Sequence, residues 1–260
     1  MAGEVLIIGL FAFLLAGIIK GTVGIGLPTI SISIMAQFVD PRVAITMLLV
    51  PALITNSWQI YRGGEVLRSV RLLWPFALAM IITMYVSALF APLVSQRFLT
   101  GGIGVMVVLW TATSLIKSPA KIPVAMDRLV QIVAGLVSGA IGGLTAIWSP
   151  PMVMYLLARR HVAEHDTEHA TEHSEKEDFV RFTGFLILCG SVPLFAGYVS
   201  NGLLTTPLAL LSAAMIVPTL IGFSIGERLR KRLDSGQFRT VVLCLFCLMG
   251  LNLIRRAYFL

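Results

Sequence analysis

LAGIIKGTVGIGLP, residues 15–28, carries four glycines and a proline inside an otherwise apolar sequence. Glycine and proline both weaken helices. A helix break exposed to lipid would leave peptide N–H and C=O groups without hydrogen-bond partners. We therefore expect protein or a watery cavity, rather than lipid, to surround the backbone at this stretch.

The composition indicates a polytopic membrane protein. The chain has 260 residues, of which 57% are hydrophobic and 13% charged, and its mean hydropathy is +0.89. A soluble domain carries about 25% charged residues. The net charge of +7 comes from basic residues in short loops beside apolar segments, where they orient the chain in a bilayer. We therefore expect lipid, and no nucleic acid, as a partner.

Six apolar segments have about the length that crosses a bilayer. They are residues 43–61, 72–92, 98–116, 179–199, 204–226 and 238–254. Two further regions, 4–39 and 126–158, are too long for one span, and glycine and proline interrupt both.

The two interrupted regions resemble each other. VAGLVSGAIGGLTAIWSPP, residues 133–151, repeats the glycine spacing of the first stretch at an offset of 118 residues. SQRFLTGGIGVMVVL from Ser95 resembles SGQFRTVVLCLFCLM from Ser235 at an offset of 140, and a polar insertion at 161–178 accounts for most of the difference. The sequence predicts a duplicated all-α membrane protein with repeats at 1–120 and 121–260.

The distribution of Lys and Arg favours a particular topology. If both interrupted regions cross the membrane, the two sides carry 11 and 8 basic residues; if both are re-entrant hairpins, they carry 15 and 4. The positive-inside rule favours the second arrangement. Each repeat is then a broken helical hairpin plus three spans, the two repeats are inverted, and both termini are extracytoplasmic.

The hairpin breaks predict the substrate site, because matching breaks in inverted repeats form such sites in transporters. A helix that starts inside the membrane directs N–H groups and a partial positive charge at the cavity. Close packing of the glycines alone is the competing interpretation, although it leaves the prolines unexplained. The predicted substrate-binding residues at the breaks are Lys20, Gly21, Thr22, Gly24, Gly26, Pro28, Gly142, Gly143, Trp148, Ser149 and Pro150.

The charged residues indicate an anionic substrate. The six clear spans hold no Asp or Glu well inside them, and Lys20 is the one charge placed near the membrane interior. An intramembrane charge is costly and suggests function, although a lysine can also extend to the membrane surface. Asn56 and Gln59 are the predicted hydrogen-bonding partners in the first clear span, where they could instead join helices.

Four motifs in order resemble the TauE/SafE sulfite exporter family. They are LAGIIKGTVGIGLP, VPALITNSWQ, GGLTAIWSPPMVMYLL and IGERLRKRLDSGQFR, and the resemblance covers nearly the whole chain. It implies a carrier in the bacterial inner membrane for sulfite, C2 sulfonates or related small anions. The long polar segment between the halves departs from the family pattern.

That segment holds every histidine of the chain, at four-residue intervals. A helix would place them in one stripe, where an i, i+4 pair can bind Zn²⁺ or Ni²⁺; the alternative is a solvated extension. The candidate metal ligands are His161, His165, His169 and His173.

We therefore expect a secondary transporter for small sulfur-containing anions, with no cofactor and no enzymatic activity, and we leave a homodimer open. One alternative is a divalent-metal transporter or sensor that uses the histidines. The other is a membrane scaffold with a dry, packed centre.

Overall fold

The computed structural model describes residues 2–23, 26–64, 66–115, 122–166, 172–230 and 235–259. These residues form eleven α-helices and one short 3₁₀ turn, with no strand among them. The helices are α1 Ala2–Val23, α2 Leu27–Met35, α3 Pro41–Gly63, α4 Val66–Leu89, α5 Gln96–Leu115, α6 Asp127–Thr145, α7 Ser149–Asp166, α8 Glu172–Ser200, α9 Thr206–Ala214, α10 Ile216–Arg230 and α11 Ser235–Tyr258.

The all-α, polytopic fold class is confirmed. Within the described residues, seven stretches are long and apolar enough to cross a membrane: Gly3–Thr22, Pro41–Tyr61, Val66–Leu89, Gln96–Ser114, Asp127–Thr145, Asp178–Ser200 and Thr206–Leu229. Five of them match predicted spans. The sixth predicted span, 238–254, lies inside α11.

One predicted span is interrupted. Residues 204–226 were expected to form a single helix, but α9 ends at Ala214 and α10 begins at Ile216. Pro218 has no N–H to donate to the carbonyl of Ala214, and its ring crowds that carbonyl. The chain nevertheless continues through both helices as one apolar stretch.

Both interrupted regions fold into helical hairpins. Helix α2 packs back on α1, and α7 packs back on α6. The first arm of each hairpin is as long as a full span. Helix α2 has nine residues, so its length is about 13 Å, less than half of the roughly 30 Å hydrocarbon core. Each break therefore comes after a helix of spanning length, α1 or α6, and lies beyond the midpoint of its interrupted region.

The two halves of the chain interlock through their hairpins. Helix α1 packs mainly on α10, and α6 packs mainly on α4. Glycines allow the close approach: a Cβ on Gly17 would collide with the Thr219 carbonyl oxygen, and one on Gly135 with the Phe76 carbonyl oxygen. The first helix of each half thus rests against the backbone of a helix from the other half.

The histidine segment divides between two helices. His161 and His165 fall within α7, and His173 falls within α8, while His169 lies outside the described residues. The side chains of all four lie outside the described part of the structure.

Candidate functional site

The first hairpin turns at Gly26, directly before α2. Gly26 has φ 108°, a left-handed conformation that suits glycine because it lacks a Cβ. The Gly26 carbonyl accepts a hydrogen bond from the Ile30 N–H at 3.0 Å, and Pro28 lies in the first turn of α2. Proline fits there because the N–H that it lacks would have had no partner in the helix.

The second hairpin turns at Ala146, which has φ 55° and is the one non-glycine residue with positive φ in the described part of the chain. A left-handed alanine costs roughly 1–2 kcal/mol, so the surrounding structure holds this turn in place. Helix α7 follows from Ser149, with Pro150 and Pro151 in its first turn. The two prolines carry no N–H, so any donors at this helix start come from Ser149 and the residues before it.

The starts of α2 and α7 meet. Thr29 Oγ1 and Ser149 Oγ lie 3.5 Å apart, and the Thr29 side chain is buried. Each helix directs the positive end of its dipole toward its start. The fold therefore brings two such ends together, one from each half of the chain.

Lys20 is buried and hydrogen-bonded to uncharged groups. It is 1% exposed. Its Nζ donates to Thr55 Oγ1 at 2.9 Å and to Asn56 Oδ1 at 2.5 Å. Asn56 Nδ2 in turn donates to Ser191 Oγ at 3.2 Å. This polar chain links α1, α3 and α8.

The charge of Lys20 has no counter-ion in the described part of the chain, where no carboxylate oxygen lies within 4.0 Å of its Nζ. A protonated lysine has three donor hydrogens, and the two hydrogen bonds above use two of them. A buried charge is expensive unless it is paired. When Lys20 is protonated, the site therefore has a spare donor and a positive charge that no described carboxylate balances.

Two buried tryptophans add N–H donors at the hairpin turns. Trp148 is 2% exposed and Trp110 is 3% exposed, and the Nε1 atoms of both lack a hydrogen-bond partner. Trp148 belongs to the turn before α7. The Trp110 ring lies against the other turn, with Cζ2 3.6 Å from the position of a Cβ on Gly26.

The site lies deep within the helix bundle. A Cβ on Gly190 would lie 2.9 Å from Trp148 Nε1, and the next residue, Ser191, accepts the hydrogen bond from Asn56. These two residues of α8 are near the middle of the apolar stretch Asp178–Ser200. The lysine chain and the α7 turn are therefore adjacent, at a depth far from either end of that stretch.

The structure gives other contacts to several predicted site residues. Gly21 packs against Phe223 and Glu227 of α10, and Thr22 Oγ1 donates to the Ile19 carbonyl of its own helix. Gln59 Nε2 donates to the Val180 carbonyl at 3.4 Å.

The predicted glycines of the second hairpin also take part in packing. Gly142 lies against Met84 and Trp148, and Gly143 lies against Met84 and Ser87. Gly24 lies outside the described residues.

Trp110 and Thr29 were not among the predicted site residues. Trp110 lies in an apolar span and reads as a core aromatic residue, and Thr29 lies in TISIS beside ordinary helix-forming residues. The sequence could have indicated Thr29, because Pro28 marks a helix start and Thr29 lies in the same first turn. No sequence signal marks Trp110, because only the fold brings α5 to the turn at Gly26.

Among the described residues, no group of three or more His, Cys, Asp or Glu side chains could hold a metal ion. The prediction of metal binding by the histidines concerns side chains outside that part of the structure. The structure thus offers no support for the metal-transport alternative.

Comparison with known proteins identifies the family. No curated protein and no solved structure showed significant similarity to the chain. The family model described as "Sulfite exporter TauE/SafE" matches residues 9–253, which include both hairpin turns and every residue of the site above. The chain therefore belongs to the TauE/SafE sulfite exporter family, whose members are membrane transporters and not enzymes.

Proposed function

We propose that this protein is a secondary transporter that moves sulfite or a C2 sulfonate across the bacterial inner membrane. The substrate binds where the starts of α2 and α7 meet, beside Lys20 and Asn56. The observation that carries this proposal is the buried Lys20 side chain, without a described counter-ion, next to two converging helix starts.

An anion satisfies what this site leaves unsatisfied. It accepts the spare hydrogen of Lys20 and neutralises a charge that otherwise has no described counter-ion. The Trp110 and Trp148 N–H groups offer further donors, and the helix starts favour negative charge. Sulfite and sulfonates each carry three sulfur-bound oxygens, which suit donors that approach from several directions.

A cation would find little to bind in the same place. The groups around Lys20 Nζ and the two indoles are mainly donors, and Asn56 Oδ1 and Thr55 Oγ1 already accept from Lys20. The site chemistry thus agrees with the sulfite-type substrate that the family implies.

The packing pattern supports a duplication with repeats at 1–120 and 121–260, and the distribution of Lys and Arg in the sequence favours an inverted relation between them. The pairing of α1 with α10 is matched by that of α6 with α4, and α3 packs on α9 as α8 packs on α4. Such pairing is expected when equivalent helices of two repeats exchange positions about a pseudo-twofold axis. Relative movement of the hairpins then exposes the site alternately to the two sides.

Proteoliposomes that contain the purified full chain test the function. We expect saturable uptake of radiolabelled sulfite down its gradient, accelerated by unlabelled sulfite on the opposite side. Competition by two-carbon sulfonates separates the two substrate classes. Uptake no faster than in protein-free liposomes, for sulfite and for C2 sulfonates alike, would contradict the proposal.

A further inference from the structure

A polar cavity lies at one end of the bundle, apart from the site above. It has a volume of about 440 Å³. It is formed by the segment after α2, the first turns of α5 and the last turn of α11, and its lining residues are Ala36, Phe38, Val39, Asp40, Gln96, Arg97, Thr100, Arg256 and Ala257. Because Gln96 begins an apolar spanning stretch, the cavity is at the level of a membrane surface.

Two arginines and one aspartate line this cavity, so its net charge is positive. Arg97 is exposed and has no ion-pair partner in the described part of the chain. Arg256 donates to the Gln37 carbonyl, and a guanidinium has five donors in total, so most of its donors remain for a ligand.

Asp40 does not neutralise the positive charge of the two arginines. Its Oδ1 accepts from the Arg42 N–H at 2.7 Å and caps α3, and its Oδ2 lies 3.5 Å from Arg42 Nη1. The negative charge of Asp40 is thus largely directed toward Arg42, which does not line the cavity.

Helix α2 and helix α5 connect the cavity to the proposed substrate site. The cavity lies at the end of α2 that leads to Asp40, and the turn at Gly26 begins the other end, against Trp110. Trp110 is 13 residues beyond Arg97 along α5, about 20 Å at the helical rise. An anion in the cavity is therefore about 13–20 Å from the site where α2 and α7 meet, measured along α2 and α5.

We propose that this cavity is an entrance site that binds small divalent oxyanions, such as sulfite or sulfate, through Arg97 and Arg256 before they reach the transport site. The proposal rests on the proposed function for its role in transport, and on the cavity's own charges for anion binding. Charges at the mouth of a site raise the local concentration of an oppositely charged substrate, and salt weakens this effect.

Transport kinetics of Arg97→Gln provide the first test. We expect an increase in the KM for sulfite of about two- to five-fold with little change in kcat, and a weaker dependence of KM on ionic strength. Arg128→Gln is the matched control, because Arg128 is also exposed and also the second residue of a spanning helix, yet does not line the cavity. It should leave KM unchanged.

Asp40→Asn provides a test of opposite sign. Asparagine keeps the helix cap but no longer neutralises the neighbouring Arg42, so the net charge near the cavity becomes more positive and the KM for sulfite should fall. An unchanged KM in both Arg97→Gln and Asp40→Asn would overturn a role for the cavity in transport.

A binding measurement separates this proposal from the function itself. Phenylglyoxal modification of the purified chain is followed at each arginine by mass spectrometry, in sulfate and in chloride at equal ionic strength. We expect sulfate to slow modification of Arg97 and Arg256 at least about twofold relative to Arg128. If sulfate and chloride give the same modification rates at Arg97, Arg256 and Arg128, the proposal that the cavity binds anions is wrong. Protection of Arg97 without sulfite or sulfonate transport would overturn the proposed function and leave this anion site standing.

Discussion

Thr29 Oγ1 and Ser149 Oγ lie 3.5 Å apart although 120 residues separate them in the chain. Each belongs to the first turn of a helix that follows a hairpin turn. This contact places the two hairpin turns in one site, and the following predictions concern the side chains around it.

Replacement of Lys20 by methionine tests the charge of the site. Methionine is similar in length but carries no charge, so Lys20→Met should reduce sulfite uptake by at least about tenfold. Its thermal stability in detergent should change little, because removal of a buried charge without a counter-ion is offset by the loss of the donor to Asn56 Oδ1. Arg128→Gln serves as a control for loss of a positive charge elsewhere. Normal uptake by Lys20→Met would remove Lys20 from the binding site.

Asn56→Asp tests the same charge from the opposite direction. The new carboxylate would lie beside Lys20 Nζ, which is 2.5 Å from Asn56 Oδ1, and would take the place of the anion. We expect a protein that folds as well as wild type, since the pair balances the lysine charge, but that transports sulfite at least about tenfold more slowly. If Lys20 and Asn56 had only a structural role, a folded Asn56→Asp protein would transport sulfite at the wild-type rate.

Removal of the indole N–H tests the two tryptophans. Trp148→Phe and Trp110→Phe should each raise the KM for sulfite by about tenfold, the effect of one hydrogen bond to a charged group. Each change also removes ring volume from a buried position, so packing alone should lower stability by about 1–2 kcal/mol. The control is Trp58→Phe, at a half-exposed position outside the site. Loss of stability without a change in KM would show that the two rings serve packing only.

Alanine substitutions separate packing glycines from binding glycines. A Cβ on Gly21 would collide with the Phe223 carbonyl oxygen, whereas one on Gly3 in the same helix meets nothing within 4 Å. Gly21→Ala should therefore destabilise the protein by about 1–3 kcal/mol, with Gly3→Ala neutral, as measured by unfolding in detergent. A stable Gly21→Ala protein with impaired sulfite binding would instead support the prediction that Gly21 belongs to the substrate site.

Substitution of the four histidines addresses the metal alternative. Changing His161, His165, His169 and His173 together to glutamine should leave sulfite uptake within about twofold of wild type, because none of them is among the residues of the site. The same assay with and without Zn²⁺ completes the experiment. A zinc requirement that disappears in the variant would support metal-dependent transport.

Much of the fold followed from hydropathy and from glycine and proline, because lipid requires long apolar helices and tolerates breaks only inside the protein. Lys20 and Asn56 were predicted as site residues because a charge and an amide are conspicuous in apolar helices, and the structure joins them by a hydrogen bond. Two features depended on contacts between distant segments. The sequence could not show that Gly143 packs on α4 or that the Trp110 ring lies against Gly26.

The exchange of helices between the two halves has a consequence for the synthesis of the chain. Until α10 emerges from the ribosome, the face of α1 that carries Gly17 and Gly21 lacks the helix on which it packs in the structure, although α1 precedes α10 in the chain. The packing of α1 on α10 can therefore form only late in translation, after most of the chain has entered the bilayer. A chain truncated before α10 should accumulate poorly, and co-expression of the missing carboxyl-terminal fragment should rescue it.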